Sequence, residues 1–101
     1  MSERKTVVFE NDKMRVERIH SVWYQSPKDF WYDQTEDEWV QVTKGSAILE
    51  FEKNKVELKA GDYLFIKAHE RHRIEQTNSD CEWLCVFIKT KEFIMKNIMK
   101  E

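Results

Sequence analysis

One histidine and a set of evenly spaced polar residues are the side chains of this sequence best suited to chemistry. Tyr32, Gln34 and Glu38 are separated by even numbers of positions, so an extended strand points all three side chains to one face. His72 lies in a second segment with strand-like residues. Imidazole suits transition metals, and a carboxylate supplies a harder ligand beside it. These residues therefore indicate a polar cluster that either binds a metal ion or lines a pocket.

Two interpretations of this cluster remain open. In the first, His72 and Glu38 bind a divalent metal with help from Gln34, and an open coordination position polarises a substrate. In the second, His72 is a neutral buried imidazole that hydrogen-bonds Glu38 or Gln34 in a metal-free pocket, because unpaired polar groups are costly in a core. Two ligands and an amide make a weak site, since stable zinc sites use three or four ligands.

The segment before His72 holds two further candidates. His69 lies three residues upstream and either joins the metal ligands or remains a partly exposed turn histidine. Lys67 follows an apolar run and either meets an anionic ligand at the mouth of the pocket or points into solvent. With His69 included, the donor set comes closer to a usable metal site.

Residues beside Glu38 and Tyr32 extend the predicted pocket. Glu36 shares the face of Glu38, so the two carboxylates either act as acid and base, with one pKa raised, or form a solvated acidic rim. Trp31 belongs to a cluster of aromatic residues that either fills the core or stacks on a planar or sugar-like ligand. The predicted pocket residues are therefore Tyr32, Glu36, Trp31 and Lys67.

Length and charge limit what this chain does. Its 101 residues allow one domain, residues 1–101, with room for one core. The 17 basic and 19 acidic residues give a net charge of −2, which offers no electrostatic reason to bind nucleic acid. No stretch approaches the roughly 20 apolar residues of a membrane helix. We therefore expect a cytoplasmic protein that binds neither nucleic acid nor membrane.

Short strands separated by turns must position these residues. Period-two patterns predict the strands, and polar clusters or glycines separate them. The predicted strands cover residues 5–9, 14–22, 38–43, 46–52, 55–58, 63–66, 71–76 and 82–89. Many short strands at regular spacing are typical of a barrel or sandwich, and a jelly roll hides the strand edges. The sequence thus predicts an all-β barrel over residues 5–89.

The C-terminal segment has a different pattern. Apolar residues from Phe93 to Met99 follow helical spacing, and Thr90 suits an N-cap. The spacing predicts a short helix over residues 90–100, packed on the barrel or on a partner subunit.

Two motifs in the middle of the chain resemble those of the cupin family. The first cupin motif has two histidines one residue apart, then a glutamate and a glycine. Glu38 and Gly45 match this motif in type and spacing, whereas Tyr32 and Gln34 stand at the histidine positions.

The second cupin motif has a glycine, a Pro-x-Gly step, a histidine and an asparagine. Gly61 and His72 match the glycine and the histidine of this motif. Lys67, His69 and Gln76 replace its proline, second glycine and asparagine. The chain is therefore similar to a bacterial group of small single-domain cupins.

This resemblance implies a cupin-type double-stranded β-helix, which is a jelly-roll barrel, with a short C-terminal helix. Metal-dependent cupins hold a divalent ion, often Fe, Mn, Ni or Zn, with three histidines and one glutamate. By resemblance, His72 and Glu38 would be ligands here, assisted by Gln34 and His69. The resemblance implies either an oxygenase or isomerase of a small polar molecule, or a metal-free cupin that binds a small ligand without catalysis. A purely structural, dimerising module is a third alternative, and a homodimer is expected in every case.

Overall fold

The computed structural model describes residues 1–99, which form eight strands and one helix. The elements are β1 (Ser2–Glu10), β2 (Met14–Val22), β3 (Glu36–Lys44), β4 (Ser46–Phe51), β5 (Lys55–Lys59), β6 (Tyr63–Ile66), β7 (His72–Thr77), β8 (Cys81–Lys89) and α1 (Lys91–Met99). All the predicted strands are present, with ends that differ by at most three residues. The predicted helix begins one residue later than expected, and its last position, 100, lies outside the described residues.

The strands form two antiparallel sheets. The first has the order β1-β2-β8-β3-β6, and the second has the order β5-β4-β7. Neighbours that are distant in sequence, such as β2 and β8, show that the chain crosses between sheets as in a jelly roll. The predicted all-β fold with a short C-terminal helix is confirmed.

The buried side chains of β3 change from acidic to apolar along the strand. Alternate residues are buried, as a period of two requires, and the buried ones in order are Glu36, Glu38, Val40 and Val42. The first half of the strand therefore puts carboxylates inside the protein. The second half puts branched apolar side chains there, and each of these contributes roughly 1.5–3 kcal/mol on burial.

Of the neighbouring strands in this sheet, β2 repeats this division, whereas the buried residues of β8 are apolar throughout. Along β2, Arg15 and Glu17 precede Ile19, and along β8, Trp83 lies opposite Ile19 in the register. Antiparallel pairing therefore aligns the charged positions of β2 and β3 at one end of the interior. We call Arg15, Glu17, Glu36 and Glu38 the polar end, and Ile19, Val40, Val42 and Trp83 the apolar end.

Gly45 turns the chain between β3 and β4. Its φ of +80° lies in the left-handed region, where a side chain is strained. A Cβ at this position would lie 2.5 Å from Asn78 Oδ1 and still closer to the carbonyl oxygen of Asp80. Only glycine therefore fits the tight approach of this turn to the β7–β8 connection.

The helix is capped as predicted but lightly packed. The amide of Phe93 donates to Thr90 Oγ1 at 3.1 Å, which satisfies one of the free amides at the helix start. Ile94, Met95 and Ile98 remain exposed. Within residues 1–99, no helix has the length and hydrophobicity that a membrane crossing requires.

Candidate functional site

A cavity of about 240 Å³ lies inside the barrel, next to the polar end. Strands from both sheets contribute to its wall. The acidic and basic side chains that line it are Glu3, Lys5, Arg15, Glu17, Glu36, Glu38 and His72. Its volume is somewhat below the usual range of ligand pockets, which begins at about 300 Å³. The cavity therefore suits a small molecule.

Glu38 and His72 form a buried pair at this cavity. His72 Nε2 lies 3.7 Å from Glu38 Oε1, and the two residues are only 5% and 7% exposed. His72 Nδ1 donates to the carbonyl oxygen of Glu70 at 2.9 Å. A carbonyl oxygen only accepts, so Nδ1 carries the proton of the neutral ring and Nε2 is left as an acceptor. The pair therefore offers an acceptor nitrogen and a carboxyl group side by side.

Burial sets the protonation of this pair. It raises the pKa of Glu38 to about 7, and the neighbouring Cys85 and Gln34 side chains oppose that rise only in part. Burial also lowers the pKa of His72, partly offset by its hydrogen bond to the carbonyl of Glu70. At neutral pH the imidazole is therefore neutral, and the carboxyl is divided between its two forms. A carboxyl with a pKa near the working pH is suited to general acid–base chemistry.

Gln34 and Tyr32 reach the same cavity from the segment before β3. The main chains of Tyr32 and His72 hydrogen-bond each other, and their rings stack with centroids 5.3 Å apart. Gln34 Nε2 is buried near the Glu38 carboxyl, whose pKa the amide lowers, but it reaches no acceptor with full hydrogen-bond geometry. Because buried polar groups are normally paired, this amide nitrogen is a donor available to an oxygen of a bound ligand.

Arg15 holds the other carboxylates of the polar end together. Its Nε donates to Glu17 at 2.7 Å, and its two terminal nitrogens donate to Glu36 at 2.8 and 3.2 Å. The guanidinium carbon lies 4.4 Å from the centre of the Phe87 ring on β8. Arg15 thus crosses over β8 to join β2 with β3.

Sequence reasoning missed the four other charged lining residues, Glu3, Lys5, Arg15 and Glu17, as well as the apolar residues of the wall. The signal for two of them was present in β2, because Arg15 and Glu17 share the parity of the buried Ile19. For Glu3 and Lys5 there was no such signal, since β1 is exposed along nearly its whole length.

His69 does not line the cavity. Its two ring nitrogens lie 2.7 Å from Asp33 and 2.7 Å from Glu92, on the protein surface. These carboxylates raise the pKa of His69, Glu92 most strongly. The backbone at His69 has a φ of +66°, which is consistent with its place at a glycine position of the second motif. Its ring is therefore held outward between two acids.

Two predicted pocket residues also lie away from the cavity. Lys67 is exposed at the end of β6. Trp31 is half-buried on the outside, with the guanidinium carbons of Arg71 and Arg73 at 5.4 and 6.0 Å from its ring. The aromatic side chain therefore packs against cations rather than facing a ligand. The predicted residues that the structure brings together at the cavity are Tyr32, Gln34, Glu36, Glu38 and His72.

A second polar cluster lies outside this cavity. His20, Asp80 and Glu82 place possible ligand atoms within 4.8 Å of one another, as a metal site requires. His20 Nε2 is 2.9 Å from one oxygen of Asp80, and Lys44 Nζ is 2.8 Å from the other. The lysine already neutralises Asp80 and opposes a second cation there.

Comparisons with known proteins bear on this geometry. The family model described as the cupin domain matches residues 25–87, which include Tyr32, Gln34, Glu38 and His72. This chain is a cupin. No protein in a search of curated sequences matches it.

Solved structures agree with the cupin family. A provisionally named mannose-6-phosphate isomerase from Ralstonia eutropha is 36% identical, with a TM-score of 0.84 over 88% of this chain and 86% of that one. A cupin superfamily protein from Desulfitobacterium hafniense is 16% identical, with a TM-score of 0.78 over 88% of this chain and 79% of that one. An oxalate decarboxylase assigned by prediction, from Thermotoga maritima, is 22% identical, with a TM-score of 0.73 over 87% and 81%. The last two support the fold alone.

Cupins often bind metal ions, and such an ion needs several donor atoms that converge on one point. Stable zinc sites use three or four nitrogen, sulfur or oxygen ligands. Here His72 Nε2 and Glu38 Oε1 are the two that converge. The polar atom left without a partner is the donor nitrogen of Gln34, which a cation repels and a ligand oxygen would satisfy. Among the described residues, the barrel therefore brings a nitrogen and an oxygen ligand together at this point, fewer than a stable zinc site uses.

Proposed function

We propose that this cupin binds a small polar molecule inside its barrel and catalyses proton transfer on it, as an isomerase does. The observation that carries the proposal is the buried Glu38–His72 pair, which faces the cavity with the pKa of Glu38 raised to about 7. A group whose pKa lies near the working pH both takes and returns a proton readily. The isomerase name of the 36% identical relative supports the same class of reaction.

The proposed roles follow from the protonation of each group. The Glu38 carboxylate takes a proton from the hydroxyl-bearing carbon next to a carbonyl and returns it to the former carbonyl carbon, while the hydroxyl proton passes by way of His72 Nε2 to the former carbonyl oxygen, so that every hydrogen is conserved. His72 Nε2 accepts a hydrogen bond from a substrate hydroxyl, because the ring proton is on Nδ1. Gln34 Nε2 donates to the carbonyl oxygen, where negative charge develops during the transfer.

Deuterium exchange tests this proposal. The protein would be incubated in D₂O with a panel of aldoses, ketoses and small hydroxyketones, and incorporation at the carbon next to the carbonyl followed by NMR. We expect exchange with at least one compound, and its loss in Glu38→Gln. The matched control is Glu57→Gln, which changes an exposed glutamate on β5 and should leave exchange intact. Absence of exchange across the panel would contradict the proposed catalysis.

One observation favours a second candidate, a metal-dependent cupin. The acceptor nitrogen of His72 faces Glu38, so these residues supply one histidine and the glutamate of the cupin ligand set. Gln34 would assist them in binding the metal. A divalent Fe, Mn, Ni or Zn ion held there would supply Lewis-acid or oxygen chemistry. Elemental analysis of untagged protein decides between the candidates. Metal near one per chain that is lost in His72→Ala supports the second candidate, and exchange that survives a chelator supports the first.

We further propose that the partner of this site is a small molecule and that the functional unit is a cytoplasmic homodimer without nucleic-acid or membrane partners. The net charge of −2 supports the absence of a nucleic-acid partner. Val7, Val8 and Phe9 on the edge strand β1 are each about half exposed, which supports a partner subunit on that strand. Analytical ultracentrifugation should give twice the monomer mass, and a charged substitution at Phe9 should shift it to the monomer.

A further inference from the structure

The charged groups of the cavity restrict which small molecule can enter it. Four glutamates line it, against Arg15 and Lys5 as the cations among the described lining residues. Lys5 is half exposed, and its Nζ is 3.9 Å from Glu3. Arg15 is therefore the cation that a buried anionic ligand would have to use.

Three of the five N–H groups of Arg15 are already engaged by carboxylates. Each of its three nitrogens already donates to a carboxylate, Nε to Glu17 and the two terminal nitrogens to Glu36. The paired contact to Glu36 is the same fork geometry by which arginine recognises phosphate. Glu36 thus occupies the place that a phosphate group would take.

We infer that the barrel selects an unphosphorylated polyhydroxy compound and that Glu36 and Glu17 are the residues that exclude phosphate esters. This inference rests on the proposed function and names its substrate class. The carboxylates accept hydrogen bonds from ligand hydroxyls, and Gln34 Nε2 donates to a ligand oxygen. Hydroxyl groups satisfy both kinds of partner without adding negative charge beside Glu17, Glu36 and Glu38. The substrate class therefore differs from the one in the name of the 36% identical relative.

Matched sugars with and without phosphate test this inference. Binding of mannose, mannose 6-phosphate, fructose and fructose 6-phosphate would be measured by calorimetry and thermal shift on the wild type, Glu36→Gln and Glu17→Gln. In the wild type we expect neither phosphate ester to bind more tightly than its free sugar. In each variant one negative charge beside Arg15 is removed, and its guanidinium should then favour the ester by about tenfold, since hydrogen bonds between charged groups are strong.

Two results would overturn the inference. One is a wild type that prefers a phosphate ester, and the other is a pair of folded variants that gain no affinity for phosphate. If Glu36→Gln is unstable, phosphate should raise its melting temperature but not that of the wild type, because phosphate replaces the missing carboxylate. If the wild type shows no deuterium exchange but the sugars and their phosphate esters bind as expected, the catalytic proposal alone would be refuted.

Discussion

Replacing Glu38 with glutamine removes one titrating group from the barrel while keeping its shape. In the folded protein, burial raises the pKa of Glu38 to about 7 from its ordinary value of 4.5. The unfolded chain keeps the ordinary value, because there the carboxylate is in water. The folded state therefore holds its proton to a higher pH than the unfolded state does.

The sign and size of the effect follow from this difference. Between about pH 4.5 and pH 7 the folded state binds one more proton, so the free energy of unfolding falls as pH rises and then levels off. The difference between 7 and 4.5 corresponds to about 3 kcal/mol, at about 1.4 kcal/mol per pKa unit. This is a large fraction of the 5–15 kcal/mol roughly typical of a domain. Glu38→Gln lacks this decline, so it should gain about 3 kcal/mol relative to the wild type over the same range.

Urea unfolding at a series of pH values measures this gain. Trp83 is buried in the core, so tryptophan fluorescence follows the transition. The difference in unfolding free energy between variant and wild type removes the contribution of other titrating groups. Glu57→Gln, on the exposed side of β5, is the control for replacing a glutamate that does not line the cavity. A pH-independent difference for Glu38→Gln would refute the electrostatic argument.

Two further predictions concern the left-handed positions of the backbone. Gly45→Ala should destabilise the protein by roughly 2–5 kcal/mol, because backbone strain and overpacking add. At Gly61, φ is +96° and nothing lies within 4 Å of an added Cβ. Gly61→Ala should therefore lose only the stability that backbone strain costs, about 1–2 kcal/mol, and chemical denaturation compares the two variants. His69→Gly relieves strain but removes the contacts to Asp33 and Glu92. The pKa of His69 is higher in the folded protein than in the unfolded chain. The contacts to the two carboxylates therefore stabilise the fold at pH values below the pKa of the unfolded chain, and this stabilisation is lost as pH rises through the pKa of the folded protein. The melting temperatures of variant and wild type should consequently differ most in acid. A difference unchanged by pH would contradict this.

The strands could be predicted from sequence because each one carries a local pattern. Period-two alternation in β3 and the glycine after it are visible within ten residues, and the same alternation correctly placed Tyr32, Gln34 and Glu38 on one side. That success is notable for Tyr32 and Gln34, which lie before β3 and outside any long strand. The expected continuous strand is absent there, and the bridge between Tyr32 and His72 on β7 brings this segment to the cavity.

The charge network could not be predicted, because it depends on which strands become neighbours. Arg15 and Glu36 are 21 residues apart and lie on strands separated by β8. Their contact needs Arg15 to pass over Phe87, which no local pattern indicates. His69 shows that a residue type alone does not predict a ligand. Its type suggested a ligand, but its partner Glu92 lies beyond the barrel on α1, and that contact holds its ring on the surface.

The separation of polar and apolar ends lets this barrel change its chemistry without losing its fold. Val42, Ala47 and Leu58 are buried and do not line the cavity, so this part of the core keeps its packing when the groups at the polar end change. Tyr32 and Gln34 can therefore occupy the motif's histidine positions while the sheets stay intact. A barrel built this way can acquire or lose a ligand set by a few substitutions, and descendants with different substrates would share nearly the same core.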